Sequence, residues 1–140
     1  AAAPEKTIAV AVGCDAPQLV PAVLTRLAET LAADPAADVA VVQHDGRDYP
    51  LVAAYRVAVR ARARELLKQN QRRLLDLLSA VHTLRLPSEA LTDVDPERAS
   101  LENVNTPDDY LAALRRLGCP PPAELLDRLR QHAAPIKKRQ

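Results

Sequence analysis

Apolar and polar positions follow two different periods along the chain, and the change between them predicts strands and helices in turn. A continuous apolar run spans Thr7–Val12, which is typical of a strand covered on both faces within a parallel sheet. It ends at Gly13–Pro17, so Asp15 is expected just beyond the carboxyl end of that strand. From Pro21 onward apolar residues recur at helical spacing until Asp34-Pro35 ends the helix.

The middle of the chain predicts a β-hairpin followed by two helices. Asp38–Gln43 and Tyr49–Tyr55 are two apolar runs, and the Asp45-Gly46 pair between them is a strong turn signal. Because proline cannot donate to a strand ladder, we expect Pro50 at the start of its strand or on an exposed edge. Helical periodicity follows in two segments, Arg56–Lys68 and Arg72–Ala80.

The last part of the chain predicts one more strand, a loop and further helix. Val81–Leu86 alternates apolar and polar residues like a strand, whereas Pro87–Ser100 is polar and indicates a surface loop. Thr106 is a suitable N-cap with Pro107 at the first helical position, and Gly118 ends that helix. Strands that alternate with helices indicate an α/β layered domain.

Composition restricts the class of protein. A chain of 140 residues with 48% hydrophobic and 26% charged residues suits one compact domain. The net charge of +1 gives no electrostatic basis for binding nucleic acid, and no apolar run is long enough to span a membrane. Cys14 and Cys119 have no metal-ligand spacing, and Ala1–Lys6 lacks the features of a secretory signal. We therefore expect reduced thiols and a cytoplasmic location.

Asp15 is the first candidate for chemistry. Ligands of open α/β sheets bind beyond the carboxyl ends of strands, and a carboxylate there can hold Mg²⁺ together with phosphate oxygens. The alternative is that Asp15 caps the helix that follows it. Spacing alone does not decide between the two.

Two further pairs of residues are candidates. Asn103 and Asn105 are alternate residues of a segment that is predicted to be extended, so both amides could face one cleft. Asn105 could instead stabilise the turn into the helix. Arg72 and Arg73 could bind a phosphate near a helix start, or form a solvated face.

Four segments, taken in order, resemble the molybdenum cofactor guanylyltransferase family. They are Gly13–Pro17, Asp45–Leu51, Gln71–Arg73 and Asn103–Asp109, and the resemblance covers about Ile8–Leu117. It implies an α/β fold of the three-layer nucleotidyltransferase-like (Rossmann-like) kind with a mostly parallel sheet. It also implies transfer of a guanylyl group from GTP to a molybdopterin cofactor, with Mg²⁺ and release of pyrophosphate.

The resemblance also assigns roles to residues. Asp15 matches the metal-binding aspartate and, together with Asn103 and Asn105, forms the implied catalytic set. The remaining matched positions would bind substrate: Asp45, Arg47, Arg72 and Arg73.

One departure from the family pattern is large. The family's glycine-rich nucleotide loop binds phosphate through backbone N–H groups, yet the three glycines, Gly13, Gly46 and Gly118, begin no such loop. We therefore expect residues 1–117 to be the carboxyl-terminal part of a nucleotidyltransferase-like domain and residues 118–140 a helical extension with a basic tail. Such a chain would be inactive alone, and its open sheet edge would favour self-association or association with the missing half.

Three alternatives remain open at this point. The protein could be an inactive homologue that binds the cofactor or a partner. It could be a cytidylyltransferase for the same cofactor. It could also be an α/β domain that carries no site.

Overall fold

The computed structural model describes residues 7–132, with side chains up to residue 129. The predicted strands and helices are present, with ends shifted by up to three residues where both bounds were predicted. None of the helices in this part of the chain is long and apolar enough to cross a membrane. The predicted basic tail beyond residue 132 lies outside the described residues. In chain order the strands and α-helices are β1 (Ile8–Val12), α1 (Pro21–Ala33), β2 (Val39–His44), β3 (Arg47–Arg56), α2 (Val59–Lys68), α3 (Leu74–Ala80), β4 (Thr83–Pro87), α4 (Pro107–Arg116) and α5 (Ala123–His132).

The four strands form one mixed sheet in the order β1-β3-β2-β4. β3 pairs antiparallel with both β1 and β2, whereas β2 and β4 are parallel. Three of the strands therefore run in one direction and only β3 runs against them. The predicted α/β class, with most strands running the same way, is confirmed.

Helices cover both faces of the sheet and complete three layers. Because side chains alternate along a strand, β2 sends Ala40 and Val42 to one face and Val39 and Val41 to the other. All four are fully buried. On the first face they pack against the apolar stripe of α1, and on the second they pack against α3 through Leu78. β2 is therefore the centre of the core.

β1 differs from its prediction. Its apolar run indicated cover on both faces, but Val10 and Val12 remain 48% and 47% exposed. β1 pairs only with β3 among the described residues and lies at an edge of the sheet. An apolar run shows that a strand tolerates burial but not which elements pack against its faces, which explains the error. β1 contains no charged residue or proline, which are the residues that protect an edge strand from pairing with another chain. Self-association through β1 therefore stays a prediction.

The segment Pro87–Ser100 is not the surface loop that its polarity indicated. It contains two 3₁₀ helices, Ser88–Leu91 and Ala99–Leu101, and it buries Ser88, Leu91, Asp95 and Ser100. Its polar side chains form hydrogen bonds to backbone groups that would otherwise bind water. Its polar composition therefore did not mean exposure to solvent.

Candidate active site

The candidate site lies beyond the strand ends on one side of the sheet, where β1, β2 and β4 end and β3 begins. Asp45 and Gly46 form the two-residue turn between β2 and β3, with φ of 49° and 72°. Positive φ at both positions is the backbone of a type I′ hairpin turn, which confirms the turn prediction. The turn brings the first residues of β3 next to the segment that follows β1, at the edge where α/β sheets bind ligands.

A bulge in β3 forms one wall of the site. The pairing with β2 shifts so that Val41 lies opposite Ala53 and Val42 lies opposite Tyr49, which leaves residues 50–52 displaced from the ladder. Pro50 lies in this bulge of an interior strand, and the prediction of a strand start or exposed edge was wrong. A bulge is the other position in a sheet that tolerates a missing donor.

The resulting cleft has a volume of about 180 Å³. One wall is largely apolar and comes from Tyr49–Val52 of the bulge together with Leu74 at the start of α3. The polar side chains at the cleft are those of Asp15, Arg47, Asp48 and Asn103. The cleft therefore offers two carboxylates, a guanidinium and an amide beside an apolar surface.

The Asp15 carboxylate has no hydrogen bond or ion pair with any side chain or backbone group that the structure describes, up to residue 129. The N-cap of α1 is Val20, which has no side-chain cap, so Asp15 does not cap that helix and the capping alternative is excluded. Its backbone carbonyl accepts a hydrogen bond from the Val104 N–H at 2.7 Å. This bond fastens the asparagine segment to the segment that follows β1.

Asn103 and Asn105 do not share the cleft. Asn103 lines it, whereas Asn105 is absent from its lining and donates its backbone N–H to Asp109 Oδ2 at 3.1 Å. Thr106 accepts from the Asp109 N–H and donates its own N–H back, so the predicted capping box is present. Hydrogen bonding to Thr106 and to the Asn105 backbone lowers the pKa of the Asp109 carboxyl. The structure thus supports the turn interpretation for Asn105.

The predicted residues of the hairpin divide between the cleft and the surface. Arg47 lines the cleft, with its guanidinium carbon 5.4 Å from the centre of the Tyr49 ring. Asp45 lies outside the cleft lining, with its side chain 88% exposed and 3.4 Å from His44.

The family resemblance implied that the turn segment Asp45–Pro50 lies along the substrate cleft, and Asp48 and Tyr49 of this segment do line it. Asp48 is held by both Arg85, at 3.0 Å, and Gln43, at 2.9 Å. Sequence reasoning missed Leu74 as a lining residue. The position of Leu74 depends on tertiary packing, which no local pattern reports.

Arg72 and Arg73 lie beside a second depression of about 130 Å³, together with Leu67. Leu74 is common to this depression and to the main cleft. The two arginines are therefore neighbours of the cleft and not part of its lining.

The cleft suits a magnesium ion that is shared with a substrate. Among the side chains described, those of residues 7–129, no group of three or more histidine, cysteine, aspartate or glutamate residues could hold a metal. Mg²⁺, however, usually takes one or two carboxylates and completes its shell with water and substrate phosphates. The unpartnered Asp15 carboxylate fits that requirement, with the Asn103 amide nearby.

A three-layer α/β domain with a polar cleft beyond the carboxyl ends of its strands has the arrangement in which open α/β sheets bind their ligands. The sequence profile of the MobA-like NTP transferase domain matches residues 1–84. The chain therefore belongs to the family of MobA-like NTP transferase domains.

Individual relatives agree with this assignment. A protein of Chloroflexus aggregans, named Probable molybdenum cofactor guanylyltransferase, is 34% identical over 110 residues, which are 79% of this chain and 53% of the relative. The crystal structure of molybdopterin-guanine dinucleotide biosynthesis protein A from Archaeoglobus fulgidus superposes with a TM-score of 0.72 and 29% identity, over 79% of this chain and 56% of that one. The chain spans about half the length of these relatives.

A more distant structure shows the fold alone. It is a protein from Aquifex aeolicus VF5, with a TM-score of 0.57 and 20% identity, and the match covers 74% of this chain and 50% of that one.

Tyr55 supports the bulge and gives a prediction about pH. Its hydroxyl donates to the Pro50 carbonyl at 2.7 Å, and burial raises its pKa to about 12. Because the pKa of Tyr55 is about 10 in the unfolded chain, the unfolded chain loses this proton first as the pH rises. The contribution of Tyr55 to stability is therefore fully present below about pH 10 and is lost as the pH rises toward about 12. We expect Tyr55→Phe to abolish this part of the alkaline loss of stability, measured by urea unfolding at pH 9 to 11.5. Tyr110→Phe, at a 38% exposed residue, is the control and should retain it. An unaltered alkaline profile in Tyr55→Phe would contradict the prediction.

Proposed function

We propose that the protein takes part in the Mg²⁺-dependent transfer of a guanylyl group from GTP to a molybdopterin cofactor. The single observation that carries this proposal is the Asp15 carboxylate, which lies without a partner among the described residues in a cleft that also contains Asn103 and Arg47. The family and the names of the relatives support the same reaction class.

The proposed roles follow from the chemistry of each side chain. Asp15 would hold Mg²⁺, and the bound ion would neutralise negative charge on phosphate oxygens. Asn103 can both donate to and accept from a polar ligand without adding charge, which suits the orientation of a phosphate or ribose group. Arg47 carries a cation that can pair with a phosphate of the acceptor.

The apolar wall has a role in the same scheme. Tyr49–Val52 and Leu74 form a surface against which a flat ring system can pack while water is displaced. Transfer between phosphates relies on positioning and on electrostatic stabilisation, because the acceptor phosphate supplies the attacking oxygen. The described lining of the cleft contains no serine or cysteine, and such a reaction needs neither as a nucleophile.

The test is an assay of pyrophosphate release with molybdopterin, Mg²⁺ and either GTP or CTP, by this chain combined with the half that carries the expected nucleotide loop, because the chain alone is expected to be inactive. We expect release with GTP at least about tenfold faster than with CTP, and none after chelation of the metal with EDTA. Faster release with CTP would overturn the choice of nucleotide in favour of a cytidylyltransferase. Binding of molybdopterin without release from either nucleotide would overturn the enzymatic proposal in favour of a binding module.

A further inference from the structure

Gly13 lies between the end of β1 and Asp15, and the space beside its α-carbon is occupied. A Cβ atom added at this position would overlap Oδ1 of Asp15, while its next neighbours, Cγ of Asp15 and Cβ of Leu51, would be at ordinary distances of 3.6 and 3.7 Å. The Asp15 carboxylate therefore folds back over Gly13, in a space that exists only because residue 13 has no side chain.

The backbone on both sides of this contact is fixed. The Gly13 N–H donates to the Leu51 carbonyl at 3.0 Å, which continues the pairing of β1 with β3. The Asp15 carbonyl accepts from the Val104 N–H at 2.7 Å. A side chain at position 13 would thus be accommodated by rotation of the Asp15 carboxylate, since this group has no other partner among the described residues to hold it.

We infer that Gly13 is a positioning residue, whose lack of a Cβ sets the direction of the Asp15 carboxylate in the cleft. This inference rests on the proposed function for its consequence, because the direction of the carboxylate matters where Asp15 holds a metal. The backbone at position 13 does not itself require glycine. Gly13 has no positive φ, in contrast to Gly46 and Gly118. Alanine at position 13 should consequently be tolerated by the fold and not by the site.

Gly13→Ala tests the inference in the full chain. We expect crystal structures of wild type and variant to differ by roughly 1 Å or more in the position of the Asp15 carboxylate oxygens, because the overlap must open to a normal non-bonded distance. We also expect Mn²⁺, used as the spectroscopic probe for Mg²⁺, to bind about 10- to 100-fold more weakly by electron paramagnetic resonance titration. The melting temperature should be equal to that of wild type or higher, since alanine restricts the unfolded chain.

Gly118→Ala is the matched control. A Cβ there would meet no atom within 4 Å, but its φ of 66° is one that alanine rarely adopts. This variant should melt at a lower temperature and bind Mn²⁺ like wild type, which is the opposite pattern to Gly13→Ala. A shared fall in both properties for the two variants would show a general effect on stability and overturn the inference.

The failure of the inference and the failure of the proposed function are distinguishable. An unmoved Asp15 carboxylate in Gly13→Ala overturns the inference whether or not a metal binds. A moved carboxylate, in a protein whose wild type binds no Mn²⁺, supports the positioning role and overturns the assignment of Asp15 to a metal.

Discussion

Replacement of Asp15 by asparagine is expected to lower the rate of guanylyl transfer by about a thousandfold. Asparagine keeps the size and the polar atoms of the side chain but removes the negative charge that would hold Mg²⁺. Loss of metal-assisted charge stabilisation removes several kcal/mol from the transition state, and about 4 kcal/mol corresponds to about a thousandfold in rate. The measurement is the rate of pyrophosphate release from GTP by this chain combined with the half that carries the expected nucleotide loop, at saturating GTP, molybdopterin and Mg²⁺.

Asp108→Asn is the matched control for this substitution. Asp108 is exposed in the first turn of α4, outside the lining of the cleft. Its removal affects only the favourable placement of an acidic residue at a helix start, so the rate should stay within about twofold of wild type. A rate above about one tenth of wild type in Asp15→Asn would remove the carboxylate from the proposed mechanism.

The second large expected effect is a loss of stability in Asp95→Ala. Asp95 is only 5% exposed, and its two carboxylate oxygens accept from the backbone N–H groups of Ala99, at 2.9 Å, and Ser100, at 3.0 Å. Truncation leaves both donors without a charged acceptor, and hydrogen bonds to charged groups contribute about 1.5–3 kcal/mol each. We expect the free energy of unfolding to fall by about 3 kcal/mol, measured by urea denaturation.

This loss should extend to the site, because the segment that Asp95 organises leads to Asn103. The hydroxyl of Ser100 accepts from the Val20 N–H at 2.9 Å, which fastens the second 3₁₀ helix to the start of α1. Asp93→Ala is the control from the same segment. Asp93 is exposed and pairs with the partly exposed Arg26, so its removal should leave the stability close to that of wild type. A loss below about 1 kcal/mol for Asp95→Ala would contradict the buried role assigned to it.

The sequence predicted local structure better than the arrangement of its parts. The hairpin turn at Asp45-Gly46 and the capping box at Thr106 were predictable because residues close in sequence determine them. The exposed face of β1 and the bulge at Pro50 were not, because they depend on which elements pack against and pair with each strand, and that is a property of the whole domain. The buried Asp95 segment depends on docking against α1.

The same distinction applies to the cleft. The sequence placed Asp15 at the carboxyl end of a strand, and the structure has Arg47 and Asn103 at the same cleft. Asn105, which alternation and the family resemblance also indicated, lies away from the cleft, whereas Arg72 and Arg73 lie beside it without lining it. Spacing along the chain gives the direction of a side chain only while the backbone keeps one conformation, and the backbone of Asn105 already belongs to the cap of α4.

The central claim is that Asp15 holds a divalent ion in a cleft shared with Asn103. The most direct measurement is the nuclear magnetic resonance spectrum of the full chain during titration with Mn²⁺, which broadens resonances close to the bound ion. We expect early broadening of the Gly13 backbone amide and the Asn103 side-chain amide in wild type, and none at the same Mn²⁺ concentration in Asp15→Asn. Broadening that is equal in the two proteins, or that spares Asn103, would contradict it.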